Sequence, residues 1–134
     1  MAVSPELLME ALLDIESQPV WARAVKKVTV LERDANGRPD RVAFEVGALG
    51  YRLSYTLRYD YSALPDGYTW QLVDGDALAL DGGYSFEPCG TGQTRVTYHL
   101  RVDLRVPIPR VLMRQAERLV LATALRDLKA YVEP

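Results

Sequence analysis

The chain has 134 residues, with 49% hydrophobic and 25% charged side chains. That is an ordinary globular composition and length, enough for one domain spanning 1–134 rather than two. The net charge of −2 gives no bulk attraction to nucleic acid or to an anionic membrane surface. One cysteine, Cys89, and one histidine, His99, exclude an internal disulfide and a Cys/His zinc site within one chain. They also fit a reducing cytoplasm, the expected location. No apolar run approaches the ~18 residues of a membrane-crossing helix, so no stable membrane insertion is expected. Glu6 and Glu10 stand where a signal peptide would be basic.

Ser4-Pro5-Glu6-Leu7 opens a helix, with Ser4 as N-cap and Pro5 at the first helical position. Leu7, Leu8, Ala11, Leu12 and Ile15 keep helical spacing, and Pro19 is expected to end the helix by about Gln18. Pro19-Val20-Trp21 reads as a turn or a second short helix. Ala2-Val3 is too short for a strand.

From Ala24 the period changes to two. Val25–Glu32 reads as a strand, Asp34–Arg38 as a hairpin turn with Asn36-Gly37 at its tip, and Arg41–Val46 as the returning strand with Val42, Phe44 and Val46 on one face. Tyr51–Tyr61 alternates most clearly. Leu64–Gly67 is a turn, Tyr68–Val73 a strand and Asp74–Asp76 a further turn. Leu78–Glu87 follows with Leu78, Leu80, Tyr84 and Phe86 in phase, and Gly82-Gly83 marks a bend or bulge. After the loop Pro88–Gly92, Thr94–Leu104 places Val96, Tyr98, Leu100, Val102 and Leu104 inside.

Pro109–Val132 then reads as one long helix, about 36 Å at ~1.5 Å per residue, with Pro107 and Pro109 setting its start. Leu112, Met113, Ala116, Leu119 and Val120 form one apolar stripe. Leu121, Ala124, Leu125, Leu128 and Val132 form another, turned by about a third of a circle. The second stripe suits packing on a sheet, and the first suits the cover of a cavity. The sum is an α+β chain: a helix, about six antiparallel strands with one apolar face, and a long helix matching the strands in length.

Several segments, in order, resemble the START-like helix-grip superfamily (SRPBCC), and within it the bacterial polyketide cyclase/dehydrase and lipid-transport group. They are Ser4–Leu8 running to Gln18-Pro19-Val20-Trp21, Val28–Arg41, Tyr55–Tyr59, Thr69–Val73, Asp81–Tyr84, Thr94–Tyr98 and the last helix. The resemblance implies a curved sheet wrapped around the C-terminal helix. It also implies a cavity between them for a small hydrophobic ligand such as a lipid, polyketide or isoprenoid-like molecule. Its alternative is an aromatase/cyclase or dehydrase acting on a polyketide. The family's fold normally begins with a strand before the first helix, and here that strand is missing. Either the true start lies upstream of Met1 or a sheet edge is bare. A bare edge invites a homodimer, or a protein-interaction module completed by a partner's strand.

Tyr51, Tyr55, Tyr59, Tyr61, Tyr68, Tyr84 and Tyr98 fall on the apolar phase of strands, joined by Trp70. A core built for stability alone would use more Val, Ile and Phe, whereas rings carrying hydroxyls suit an apolar ligand with some oxygens. Tyr51, Tyr61 and Tyr68, at strand ends, are expected to keep their hydroxyls in water. Tyr55, Trp70, Tyr84 and Tyr98, with Met113 and Val120 from the helix, are the candidate ligand contacts. No catalytic residue, metal ligand or cofactor is assigned. The inward phases offer only tyrosines, poor bases at neutral pH with a pKa of ~10. His99 lies in an outward phase. Asp74, Asp76 and Asp81 read as turn residues, and Cys89 as a spare thiol. Arg52, Arg58, Arg95 and Arg101 are expected to pair across strands with Asp60 and Asp103. Trp21 could plug one end of the cavity or close the core, and the second is the expectation.

Overall fold

The structure, a computed structural model, describes residues 1–48, 50–104 and 109–133. The side chains of Ala48, Tyr51 and Leu104, and Pro107 as a helix-start residue, lie outside the described residues. Helix α1 (Pro5–Leu13) begins as its sequence requires, with Ser4 Oγ accepting the Leu7 N–H at 3.3 Å and Pro5 in the first turn. It ends earlier than Pro19 alone implies. Asp14 leaves the helical conformation, a 3-10 turn covers Ile15–Ser17, and Pro19 opens the short helix α2 (Gln18–Trp21) rather than closing α1. Proline is tolerated in a first turn, so the same residue can start one helix as readily as it stops another.

Six strands follow: β1 (Val25–Arg33), β2 (Pro39–Ala48), β3 (Tyr51–Asp60), β4 (Gly67–Gly75), β5 (Ala77–Pro88) and β6 (Thr94–Leu104). They form one antiparallel sheet in sequence order, with β1 and β6 at its edges. Gly37, at a φ of 79°, makes the β1–β2 turn that Asn-Gly foretells. Register shifts interrupt the β1–β2, β3–β4 and β5–β6 pairings, and each adds local bend and twist to a sheet that curves around the last helix. In β5 the shift falls between Ala77 and Ala79 rather than at Gly82-Gly83. It turns Leu78 outward, 57% exposed, while Ala77 and Ala79 are buried, so Leu78 is not in phase with Leu80 and Tyr84.

The aspartates of this region hold the irregular backbone. Asp76 accepts the Ser54 N–H at 2.9 Å, and Asp81 accepts the Leu72 N–H at 3.1 Å. The arginines pair differently from the expectation. Arg95 meets Glu87 and Arg41 meets Glu32, while Asp60 accepts the Ser62 N–H and Asp103 stands opposite Ala79. Strand register places these partners, and alternation alone does not fix register.

Helix α3 (Arg110–Val132) begins at its N-cap Pro109 and lies chiefly on β6. Its two stripes part company. Leu128 is wholly buried, and α1, with Leu8 and Leu12 buried, packs against α3 and β5. In the first stripe Ala116 is buried, but Leu112 and Leu119 are exposed. The N-terminal residues touch the start of β6: Met1 and Thr94 exchange backbone hydrogen bonds, and Thr94 Oγ1 donates to the Val3 carbonyl at 2.7 Å.

Candidate functional site

The inward phase of the strands produces rows of rings. Tyr68, Tyr84 and Tyr98 stand opposite one another across β4, β5 and β6, and Tyr59 stands opposite Trp70 across β3 and β4. Cross-strand neighbours on one face lie close enough for rings to touch. The Tyr84 and Tyr98 ring centres are 4.5 Å apart, and those of Trp70 lie 5.6 Å from Tyr84 and 5.7 Å from Tyr98. Phe44 and Tyr55 stack at 5.4 Å. Gly82, opposite Trp70, makes the arrangement possible: a Cβ there would stand 2.8 Å from Trp70 Cζ2 and 2.5 Å from the His99 carbonyl oxygen. The glycine pair therefore clears room for side chains and backbone, and the bulge lies elsewhere.

Between this aromatic wall and α3 lies a cavity of about 340 Å³, at the small end of the ~300–1,000 Å³ typical of ligand pockets. The sheet contributes Phe44, Tyr55, Tyr59, Tyr68, Trp70, Tyr84 and Tyr98 to its lining. The helix contributes Ala116, Val120, Thr123 and Asp127, whose spacing of four, three and four residues forms one straight line along α3. Four of the anticipated contacts, Tyr55, Trp70, Tyr84 and Tyr98, thus share one wall, with Val120 across from them. Met113 packs against the buried cluster and is not among the lining residues described.

Four placements differ from the sequence expectation, the first being Tyr61, whose hydroxyl donates to the carbonyl of Pro39, at the start of β2, instead of to water. Tyr68 is 1% exposed rather than wet at its hydroxyl, because Tyr59, Tyr84 and Phe86 close over it. Trp21 does more than close the core: it stacks on Tyr131 at 5.7 Å and lines the cavity. The lining also carries carboxylates, Glu117 and Asp127, so tyrosines are not its only titratable groups. Asp127 is buried, accepts the Arg23 N–H at 3.2 Å and lies 3.7 Å from Arg23 Nε. Glu117 accepts the Val102 N–H at 2.8 Å. Helical spacing from Ala116 and Val120 is the sequence signal that picks out Asp127.

Tyr61 is the one tyrosine, among the described residues, whose hydroxyl donates to the protein, to the Pro39 carbonyl. The hydroxyls of Tyr55, Tyr59, Tyr68, Tyr84 and Tyr98 donate to no partner among the described residues. Burial pushes all five well above the ordinary tyrosine range, with neighbouring tyrosines adding to the effect for Tyr55, Tyr59, Tyr68 and Tyr84. They are therefore neutral donors at any physiological pH. The indole N–H groups of Trp21 and Trp70 are buried without a partner among the described residues, each at a desolvation cost of ~1–3 kcal/mol. No cluster of His, Cys, Asp and Glu suited to a metal ion occurs among the described residues, and His99 and Cys89 are exposed. No helix among them is long and apolar enough to cross a membrane.

Solved structures share this architecture. A START superfamily protein from Mycobacterium smegmatis superimposes with a TM-score of 0.92 at 23% identity, covering 98% of this chain and 91% of that one. A protein from Thermus thermophilus gives 0.87 at 20% identity, with 98% and 91% covered. The Zhui aromatase/cyclase from a Streptomyces species gives 0.82 at 14% identity, with 98% and 87% covered. At these identities the likeness is one of fold. No curated protein sequence matches the chain. The sequence profile for polyketide cyclase/dehydrase and lipid transport matches residues 1–129, nearly the whole length, and the chain belongs to that family.

Proposed function

We propose that this protein binds or carries a small hydrophobic ligand, such as a lipid, polyketide or isoprenoid-like molecule, between the sheet and α3. The observation that carries the reading is the cavity wall, where five tyrosines, three buried (Tyr59, Tyr68, Tyr84) and two half-buried (Tyr55, Tyr98), keep hydroxyls that the described protein does not use. A wall of rings favours an apolar, flat-sided ligand, and neutral hydroxyl donors favour acceptor oxygens on it. Tyr55, Trp70, Tyr84, Tyr98 and Val120 make the contacts; Met113 supports the packing behind them.

The rival reading, an aromatase/cyclase or dehydrase, draws support from Asp127 and Glu117 in the lining, since such chemistry needs an acid or base within reach of the ligand. Binding is the better-supported reading because both carboxylates already accept backbone N–H groups. Native mass spectra of fresh protein, before and after organic extraction, test the proposal. A bound mass that disappears on extraction is expected, with uptake of an apolar fluorescent probe by the extracted protein. Bare protein that also takes up no probe would sink it. The same spectra count subunits, and a dimer is the expected result if a second copy covers a free sheet edge.

A further inference from the structure

Exposed large apolar side chains are spread over the described residues, at Leu7, Val20, Leu31, Val73, Leu78 and Tyr131, but three of them share the start of α3. Val111 is 68% exposed, Leu112 51% and Leu119 59%, all within the first three turns of α3. Arg110, Arg114 and Arg118 follow at four-residue spacing, with Arg126 beyond, and all four are exposed. None of them is in an ion pair among the described residues. At ~100° per residue, Arg114, Arg118, Val111, Gln115, Leu119 and Leu112 succeed one another across an arc of roughly 160°. The only carboxylate between Arg110 and Arg126 is Glu117, which is turned to the Val102 N–H at 2.8 Å. The chain's net charge of −2 conceals this segregation of positive charge onto one helix face.

We propose that this face of α3 docks reversibly on an anionic lipid surface and that the cavity is loaded there. The inference rests on the ligand-binding reading above. Its second support is continuity: Leu119 belongs both to the exposed face and to the cavity lining. A ligand leaving the acyl region beside Leu119 reaches the aromatic wall without crossing water. A basic amphipathic helix of this kind lies in the interface plane, with its apolar side chains among the acyl chains and its arginines on the headgroups. The face is a single convex helix surface and holds no Trp or Tyr, the side chains that with Arg anchor most protein hot spots. A deformable planar surface fits it better than a folded protein.

The test is co-sedimentation with vesicles of phosphatidylcholine alone, and of equal parts phosphatidylcholine and phosphatidylglycerol. Two double variants accompany the wild type, Arg114→Glu/Arg118→Glu and Val111→Ser/Leu112→Ser, none of whose positions lines the cavity. Uptake of the apolar probe in solution is measured on each. The wild type is expected to bind only the anionic vesicles, less so as salt rises, and each variant to lose at least ~tenfold in vesicle affinity with probe uptake kept. Equal binding to neutral vesicles, or variants that bind like the wild type, would overturn the docking. So would a wild type that takes up probe but ignores both vesicles; the cavity reading would then stand, and the face would belong to an acidic protein partner. Loss of probe uptake in the wild type itself would remove the reading beneath the docking.

Discussion

Tyr68, Tyr84 and Tyr98 stand in register across three strands, ring against ring, with Tyr68 and Tyr84 buried and Tyr98 half-buried, whereas the first turns of α3 leave Val111, Leu112 and Leu119 in solvent. Both regions bound the same cavity. The sheet side is over-determined, because each ring is fixed by backbone ladders, by its cross-strand neighbours and by glycines that make room for it. The helix side is anchored at its far end by the fully buried Leu128 and touches the cavity through a line of mostly small side chains. On the proposed binding reading, the ordered sheet wall would set selectivity and the less buried helix side would admit the ligand.

The largest effect should come from tightening the wall further. In Gly82→Ala, the new Cβ would have to stand 2.5 Å from the His99 carbonyl oxygen and 2.8 Å from Trp70 Cζ2, so β6 or the indole must move. Overpacking against backbone of this kind costs about 3 kcal/mol, to be read from the urea midpoint at unchanged slope. A loss below ~1 kcal/mol would mean that the wall relaxes freely, and the contrast with α3 would lose its basis.

Much of this wall was legible in the sequence, because period two names a face without ambiguity. Val42, Phe44, Tyr59, Trp70, Tyr84 and Phe86 are all buried where alternation places them. What was not legible has particular causes. A one-residue bulge at Ala77–Ala79 inverts Leu78, and no local pattern marks it. Tyr68 is buried by rings from the next strands, a consequence of register rather than of its position at a strand end. Asp127 belongs to neither apolar stripe, so apolar periodicity does not single it out. Its three-and-four spacing from Ala116, Val120 and Thr123 puts it in the cavity, and only the burial of the helix's far end tells which line faces inward. The long helix itself was legible from its propensities, but the exposure of Leu112 and Leu119 was not, since periodicity shows that an apolar face exists and not what covers it.

Burial raises the pKa of Tyr55, Tyr59, Tyr68, Tyr84 and Tyr98 above the unfolded value. The folded state then holds protons that the unfolded chain gives up once pH passes ~10, so the contribution of these rings to stability is constant below that pH and is lost above it. Tyrosinate absorbance from these rings should therefore rise together with loss of the circular dichroism signal, in one cooperative step. A smooth titration of all five rings in a still-folded protein would show that burial does not hold these hydroxyls protonated. Ligand affinity, for its part, should stay level from neutral pH up to that threshold.

The smallest effect belongs to the helix face and is informative because it is small. Leu112→Ser removes an apolar side chain that is half exposed and absent from the cavity lining. The stability change should stay within ~0.5 kcal/mol, as for surface substitutions generally. An equally apolar residue of the same helix, Leu128, is fully buried, and its truncation would fall in the range of ~2–5 kcal/mol for core leucines. If Leu112→Ser instead destabilised the isolated protein by more than ~1 kcal/mol, the side chain would be packed within the fold. The outer face of α3 would then be part of the core, and docking would no longer explain why apolar residues are kept there. A neutral result leaves leucine at this position without any role in stability, so its reason must lie in what the helix touches outside the chain.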